Sequence, residues 1–130
     1  MSVGAYVTCD HSTQYGIPHY IDETVNALAS FSSHGPTADG RLKPEVAAPG
    51  AYIVSSLSSY YTGSKVKYCT ISWNGNKYEY GYMQGTSMAS PFVAGVVATW
   101  LQANPELTPE DVVSILQKTS RRDSYTGDDM

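Results

Sequence analysis

The stretch Gly85-Thr86-Ser87-Met88-Ala89-Ser90-Pro91, running into Phe92-Val93-Ala94-Gly95-Val96-Val97-Ala98-Thr99-Trp100-Leu101, constrains this chain more than any other. It reads as a tight turn that opens into a helix. Gly85 frees the backbone to turn sharply, and Thr86 or Ser87 can serve as N-cap. Pro91 is expected in the first turn, where N–H groups lack intrahelical partners and a proline does least harm. The residues that follow are apolar on nearly every face, which predicts a buried helix. A serine hydroxyl is thereby presented at the positive end of an immobile helix. Free N–H groups there favour developing negative charge, so the place suits a nucleophile.

A second distinctive stretch lies upstream, in Phe31-Ser32-Ser33-His34-Gly35-Pro36 and Asp39-Gly40-Arg41-Leu42-Lys43-Pro44-Glu45-Val46-Ala47-Ala48-Pro49-Gly50. Taken with Gly85 to Gly95, it resembles the subtilisin-like serine proteases (subtilases, peptidase family S8), in the right order and at a plausible distance. The fold this resemblance implies is α/β: a three-layer α/β sandwich with a mainly parallel sheet. The chain would supply the C-terminal part of it, including one β-hairpin and two C-terminal helices.

Composition is compatible with that reading. The 130 residues have the length of one domain, and 42% hydrophobic content can support a core. The net charge of -4 is mild, so no nucleic-acid or membrane partner is implied. The apolar run from Phe92 to Ala98 is far too short to span a bilayer. The start, Met1 to Val7, has neither the basic nor the extended apolar region of a signal peptide. Cys9 and Cys69 fit one disulfide or two free thiols, the latter favoured, and their spacing matches no metal site. Tyr60, Tyr61, Tyr68, Tyr78 and Tyr80, with Tyr82 beside them, suggest an aromatic sheet surface, either cross-strand packing or a substrate-facing wall.

Along the chain, Ser2 to Thr8 predicts a short buried strand. Cys9 to Asn26 reads as a polar surface loop in which His11 and His19 are solvated. Leu28 to Ser33 predicts a strand with Phe31 inward, followed by turns at Ser32 to Pro36 and Thr37 to Gly40. Asp39 and Glu45 are expected to cap turns or pair with Arg41 or Lys43. Ala51 to Leu57 predicts the next strand. Val66 to Ser72 and Lys77 to Tyr82 flank Trp73-Asn74-Gly75-Asn76, a strong hairpin signal, because a type I′ turn needs positive φ at both central residues. The hairpin leads through Met83-Gln84 into the Ser87 turn. Gln102 to Pro105 ends the first helix. Thr108-Pro109-Glu110-Asp111 starts a second, with Thr108 as N-cap, Pro109 at N1 and Asp111 completing a capping box. Val112, Val113, Ile115 and Leu116 form its apolar stripe. Residues 1–120 are expected to be the C-terminal part of the peptidase domain and 121–130 a frayed polar tail.

The resemblance implies that Ser87 is the acyl-forming nucleophile, with Gly85, Thr86, Met88 and Pro91 completing the motif. The backbone N–H of Ser87 would be one oxyanion donor. Met88 is expected to be prone to oxidation. His34 matches the variable position before the family's Gly-Pro and is read as non-catalytic. No Asp-Ser-Gly or His-Gly-Thr motif occurs, and Asn26 lacks the context of a side-chain oxyanion donor. The chain is therefore expected to lack the Asp and His of the triad and to be inactive alone. Its parent would be a serine endopeptidase acting on polypeptides, secreted or held at the cell envelope. Calcium is common in the family, but no ligand cluster here matches a site, and no cofactor is expected. An open sheet edge and an uncovered helix predict self-association. The alternatives are a non-catalytic binding module that uses the tyrosine-rich hairpin, or a pseudoprotease.

Overall fold

The computed structural model describes residues 1–8, 24–62 and 66–122, and of residues 66–68 the backbone alone. Five strands and two helices follow in order: β1 (Val3–Tyr6), β2 (Val46–Pro49), β3 (Ile53–Ser56), β4 (Val66–Trp73), β5 (Asn76–Met83), α1 (Thr86–Ala103) and α2 (Pro109–Thr119). The expected loop from Cys9, with His11 and His19, lies outside the described residues as far as residue 23, and so does the tail from residue 123.

β1 and β2 pair in parallel, Val3 opposite Val46 through Tyr6 opposite Pro49. On its other side β1 is bonded by the segment 26–29: the Val7 N–H donates to Ala27 O at 3.0 Å and the Ala29 N–H to Ala5 O at 2.9 Å. The strand expected over Leu28 to Ser33 is not formed. Leu28 makes a single antiparallel bridge with Tyr6, and Phe31, expected inward, is 39% exposed. The inward residue is instead Ser32, whose hydroxyl accepts the Ala5 N–H at 2.9 Å. A buried hydroxyl bonded to a strand amide ends the strand pattern locally.

α1 packs against β1 and β2, and this small α/β unit holds the core. The core is made of Ala5, Val7, Ala29, Val46, Ala48, Ala51, Ala89, Val93, Val112 and Leu116. Val7 is its largest fully buried side chain. β3, β5 and β4 form a second, antiparallel sheet in that order. The β4–β5 hairpin closes as predicted, with Trp73 opposite Asn76 and Asn74 and Gly75 at φ 50° and 79°. A parallel and an antiparallel sheet with two helices are compatible with a fragment of the α/β fold that the resemblance implies.

The prediction for α1 needs two corrections. The helix is not buried on every face: only Ala89 and Val93 are buried, while Phe92 is 54% and Leu101 38% exposed. β1 and β2 cover one side of the 18-residue helix, Val112 and Leu116 of α2 join its buried residues, and no other described element packs on it extensively. The N-cap is Gly85 rather than Thr86 or Ser87, with no side-chain cap, and Pro91 falls inside the helix instead of in its first turn.

α2 forms as read. The Thr108 hydroxyl accepts the Asp111 N–H at 3.2 Å, and the Asp111 carboxylate accepts the Thr108 N–H at 3.0 Å, with Pro109 in the first turn. Val112 and Leu116 are buried, and Val113 and Ile115 half-buried.

Candidate active site

Ser87 is the second residue of α1 and is exposed. Its position is set from two directions. β5 ends at Met83, so the hairpin delivers the chain directly into the turn. Gly85 then anchors the turn to the parallel sheet: its N–H donates to Gly50 O at 2.8 Å, while Gly50 N–H donates to Tyr6 O at 3.2 Å. The end of β1, the residue after β2 and the start of α1 are thus tied in one chain of backbone hydrogen bonds.

Both glycines are required by geometry. A Cβ on Gly50 would stand 2.4 Å from the Ala5 Cβ and 3.0 Å from Gly85 O. Gly85 adopts φ 146° and ψ 161°, a region that side-chain-bearing residues rarely enter. Its carbonyl accepts the Met88 N–H at 2.9 Å and the Ala89 N–H at 3.4 Å. That leaves the N–H groups of Thr86 and Ser87 unpaired among the described residues. At the first turn of an 18-residue helix these groups favour an anion. Pro91 has no N–H, so the Ser87 carbonyl also lacks the usual donor four residues on.

The Ser87 hydroxyl has no hydrogen-bond partner among the described residues. His34, exposed at the turn before Gly35, makes none with it. Asp39 binds the Arg41 Nε at 2.9 Å and also the Thr37 hydroxyl. These bonds, Thr37 first and Arg41 second, hold its carboxyl below the usual range. Glu45 pairs with Lys43 and accepts the Ser2 N–H at 2.7 Å and its hydroxyl at 2.8 Å. Burial acts to raise the Glu45 carboxyl, but these donors outweigh it and bring it down to about 2. Both acids are committed to local structure, as the sequence suggested. The Ser2–Glu45 clamp itself, which fixes the start of β1 to the entry of β2, carries no motif that would have revealed it.

Around Ser87, Met88 is half-buried and Thr86 exposed. Tyr52 holds φ 55°, unusual for an aromatic residue, and its ring lies 5.5 Å from that of Tyr82 on β5. Cys69 is an exposed free thiol, and Cys9 lies outside the described residues. Among the described residues no three His, Cys, Asp or Glu side chains gather where they could hold a metal ion. No described helix is long and apolar enough to cross a membrane.

These features define a class: an α/β chain that presents a serine in the first turn of a helix anchored to a parallel strand pair. A family model described as the subtilase family (Peptidase_S8) matches residues 1–129, and the chain belongs to that family. It is 43% identical over 96 residues to serine protease AprX of Bacillus subtilis, a match covering 74% of this chain and 20% of that protein. It is 37% identical over 94 residues to the minor extracellular protease Vpr of the same organism, covering 72% of this chain and 10% of the relative. With pyrolysin of Pyrococcus furiosus it shares 34% identity over 136 aligned positions, covering 98% of this chain and 9% of that one. The chain thus spans a fifth or less of the length of these relatives. No solved structure matches it.

Proposed function

We propose that Ser87 is the nucleophile of a serine endopeptidase, and that this chain alone lacks the acid and base that would activate it. The observation that carries the reading is the Gly50–Gly85 hydrogen bond, which fixes an exposed serine at a helix start with its own N–H unpaired. In the proposed reaction a general base takes the Ser87 proton and Oγ attacks a peptide carbonyl. The Ser87 N–H then donates to the oxyanion, the amine leaves with a proton, and water hydrolyses the acyl-enzyme. Gly85 and Pro91 shape the turn for this role. Thr86 and Met88 flank the nucleophile.

The reading of the isolated chain as inactive is supported by the Ser87 hydroxyl, to which no described side chain is bonded. An unactivated serine hydroxyl is a weak nucleophile. The substrate of the whole protein is read as polypeptide, and its location as secreted or cell-envelope. The names of the relatives, proteases of which Vpr is called extracellular, support both. No cofactor is proposed, and no group of three His, Cys, Asp or Glu side chains among the described residues offers a metal site.

A second reading, a binding module or pseudoprotease built on the tyrosine-rich hairpin, is favoured by the exposure of Trp73 and Tyr78. A fluorophosphonate probe separates the two. It is applied to this chain and to a longer protein that contains it, each beside its Ser87→Ala variant. Labelling of the longer protein at Ser87, with none on the chain alone, is the expected result. Absence of labelling on a folded, mature longer protein would overturn the peptidase reading and leave the hairpin reading standing.

A further inference from the structure

We propose that Tyr52 is a positioning residue for the Ser87 turn: its ring, set against that of Tyr82, locks the antiparallel sheet onto the core. The catalytic consequence rests on the reading of Ser87 as nucleophile. β5 carries the chain into the turn, yet among the described residues no strand of the antiparallel sheet packs extensively on β1, β2, α1 or α2. The two parts of the molecule meet instead at a crossing. Gly50 O accepts the Gly85 N–H at 2.8 Å, and three residues on Ile53 pairs with Met83. Gly50 to Ile53 and Met83 to Gly85 therefore close a small ring of chain, and Tyr52 lies within it.

β2 ends at Pro49 and β3 starts at Ile53, so residues 50–52 take the chain from one sheet to the other. Tyr52 makes part of that change of direction with φ 55°. This left-handed conformation is costly for a residue with a Cβ and nearly free for glycine. It persists only where the surroundings fix it. What tyrosine adds over glycine is the ring, and the ring has two neighbours. One is Tyr82, with centroids 5.5 Å apart and planes tilted by 34°, a separation at which aromatic rings attract. The other is the core, against which Tyr52 packs half-buried. The ring thus braces β5 against the core beside the backbone links of the crossing.

Without the ring, those backbone links alone hold the antiparallel sheet, and it can swing about them. A swing carries Met83, Gln84 and the Gly85 N–H away from Gly50 O. Ser87 follows two residues later, so its hydroxyl and N–H move relative to a bound substrate. Misplacing a nucleophile lowers kcat more than it changes KM.

Amide exchange on the full chain tests the lock without any need for activity. The Gly85 N–H reports the crossing, and the Ala29 N–H, which donates to Ala5 O at 2.9 Å in the core, reports general unfolding. Tyr52→Gly removes the ring and eases the backbone. Tyr82→Val removes the opposing ring and keeps a strand former. Each is expected to lower protection at Gly85 at least about tenfold and at Ala29 less than about twofold, with Tyr52→Phe close to wild type. In a longer protein that contains this chain, Tyr52→Gly is expected to lower kcat at least about tenfold with KM within about twofold, and Tyr52→Phe to restore it. Unchanged protection at Gly85 overturns the proposal. So does an equal loss at Ala29, a Tyr52→Phe loss as large as that of Tyr52→Gly, or an active longer protein whose kcat ignores Tyr52→Gly. Should Tyr52→Gly fail to fold, Tyr82→Val decides. Absence of fluorophosphonate labelling on the longer wild-type protein removes the nucleophile reading alone, and exchange at Gly85 still decides the lock.

Discussion

At the scale of single residues, two glycines and one carboxylate do most to place Ser87. Gly50 has no room for a methyl group, because Ala5 and the Gly85 carbonyl already fill that space. Gly50→Ala must push the turn away from β1 or break the bond to Gly85. We expect it to cost about 1–3 kcal/mol, as overpacking does, read as a lower urea midpoint. In a longer, active protein the same change should lower kcat more than it raises KM, since it displaces the nucleophile rather than the substrate. Glu45 gives a prediction in pH. Its carboxyl lies below its ordinary 4.5, at about 2, so the folded state binds that proton less readily than the unfolded chain does. The stability it contributes is complete above about pH 4.5 and is lost as pH falls toward 2. Glu45→Gln should flatten the stability–pH curve within that window and leave its slope above pH 5 unchanged. A chemical-denaturation series across pH measures both, and an unchanged slope below pH 4.5 would contradict the clamp.

At the scale of elements, legibility in the sequence followed how local the cause was. The type I′ hairpin and the capping box of α2 depend on residues within four positions of each other, and both were readable from Asn74-Gly75 and from Thr108 to Asp111. Thr108→Ala removes the acceptor for the Asp111 N–H and is expected to cost about 1 kcal/mol, seen as reduced amide-exchange protection in the first turn of α2. The Ser87 stretch was legible as a turn that opens into a helix. Its cap was not. Thr86 and Ser87 are good N-cap types by propensity, yet the long-range bond from Gly85 to Gly50 starts the helix one residue earlier and carries Pro91 into its interior. The strand expected at Leu28 to Ser33 failed for a similar reason. The apolar alternation was present, but Ser32 finds its partner on β1, 27 residues away, and that contact turns the chain so that Phe31 faces outward.

At the scale of the whole molecule, the uncovered area governs behaviour. The apolar sequence of α1 is that of a helix enclosed on all sides, yet among the described residues only β1 and β2 contact it extensively, and the core is built largely from alanine and valine. Sequence could report how apolar the helix is but not how many neighbours the chain supplies to cover it. The consequence is measurable in the denaturant dependence of unfolding. With Phe92 and Leu101 exposed on α1, unfolding exposes less new apolar surface than in a domain whose helix is enclosed. Because the slope of stability against urea scales with that newly exposed surface, the chain should show an m-value below that of a compact domain of equal length. An m-value equal to that of compact 130-residue domains would mean that the helix faces are covered in solution.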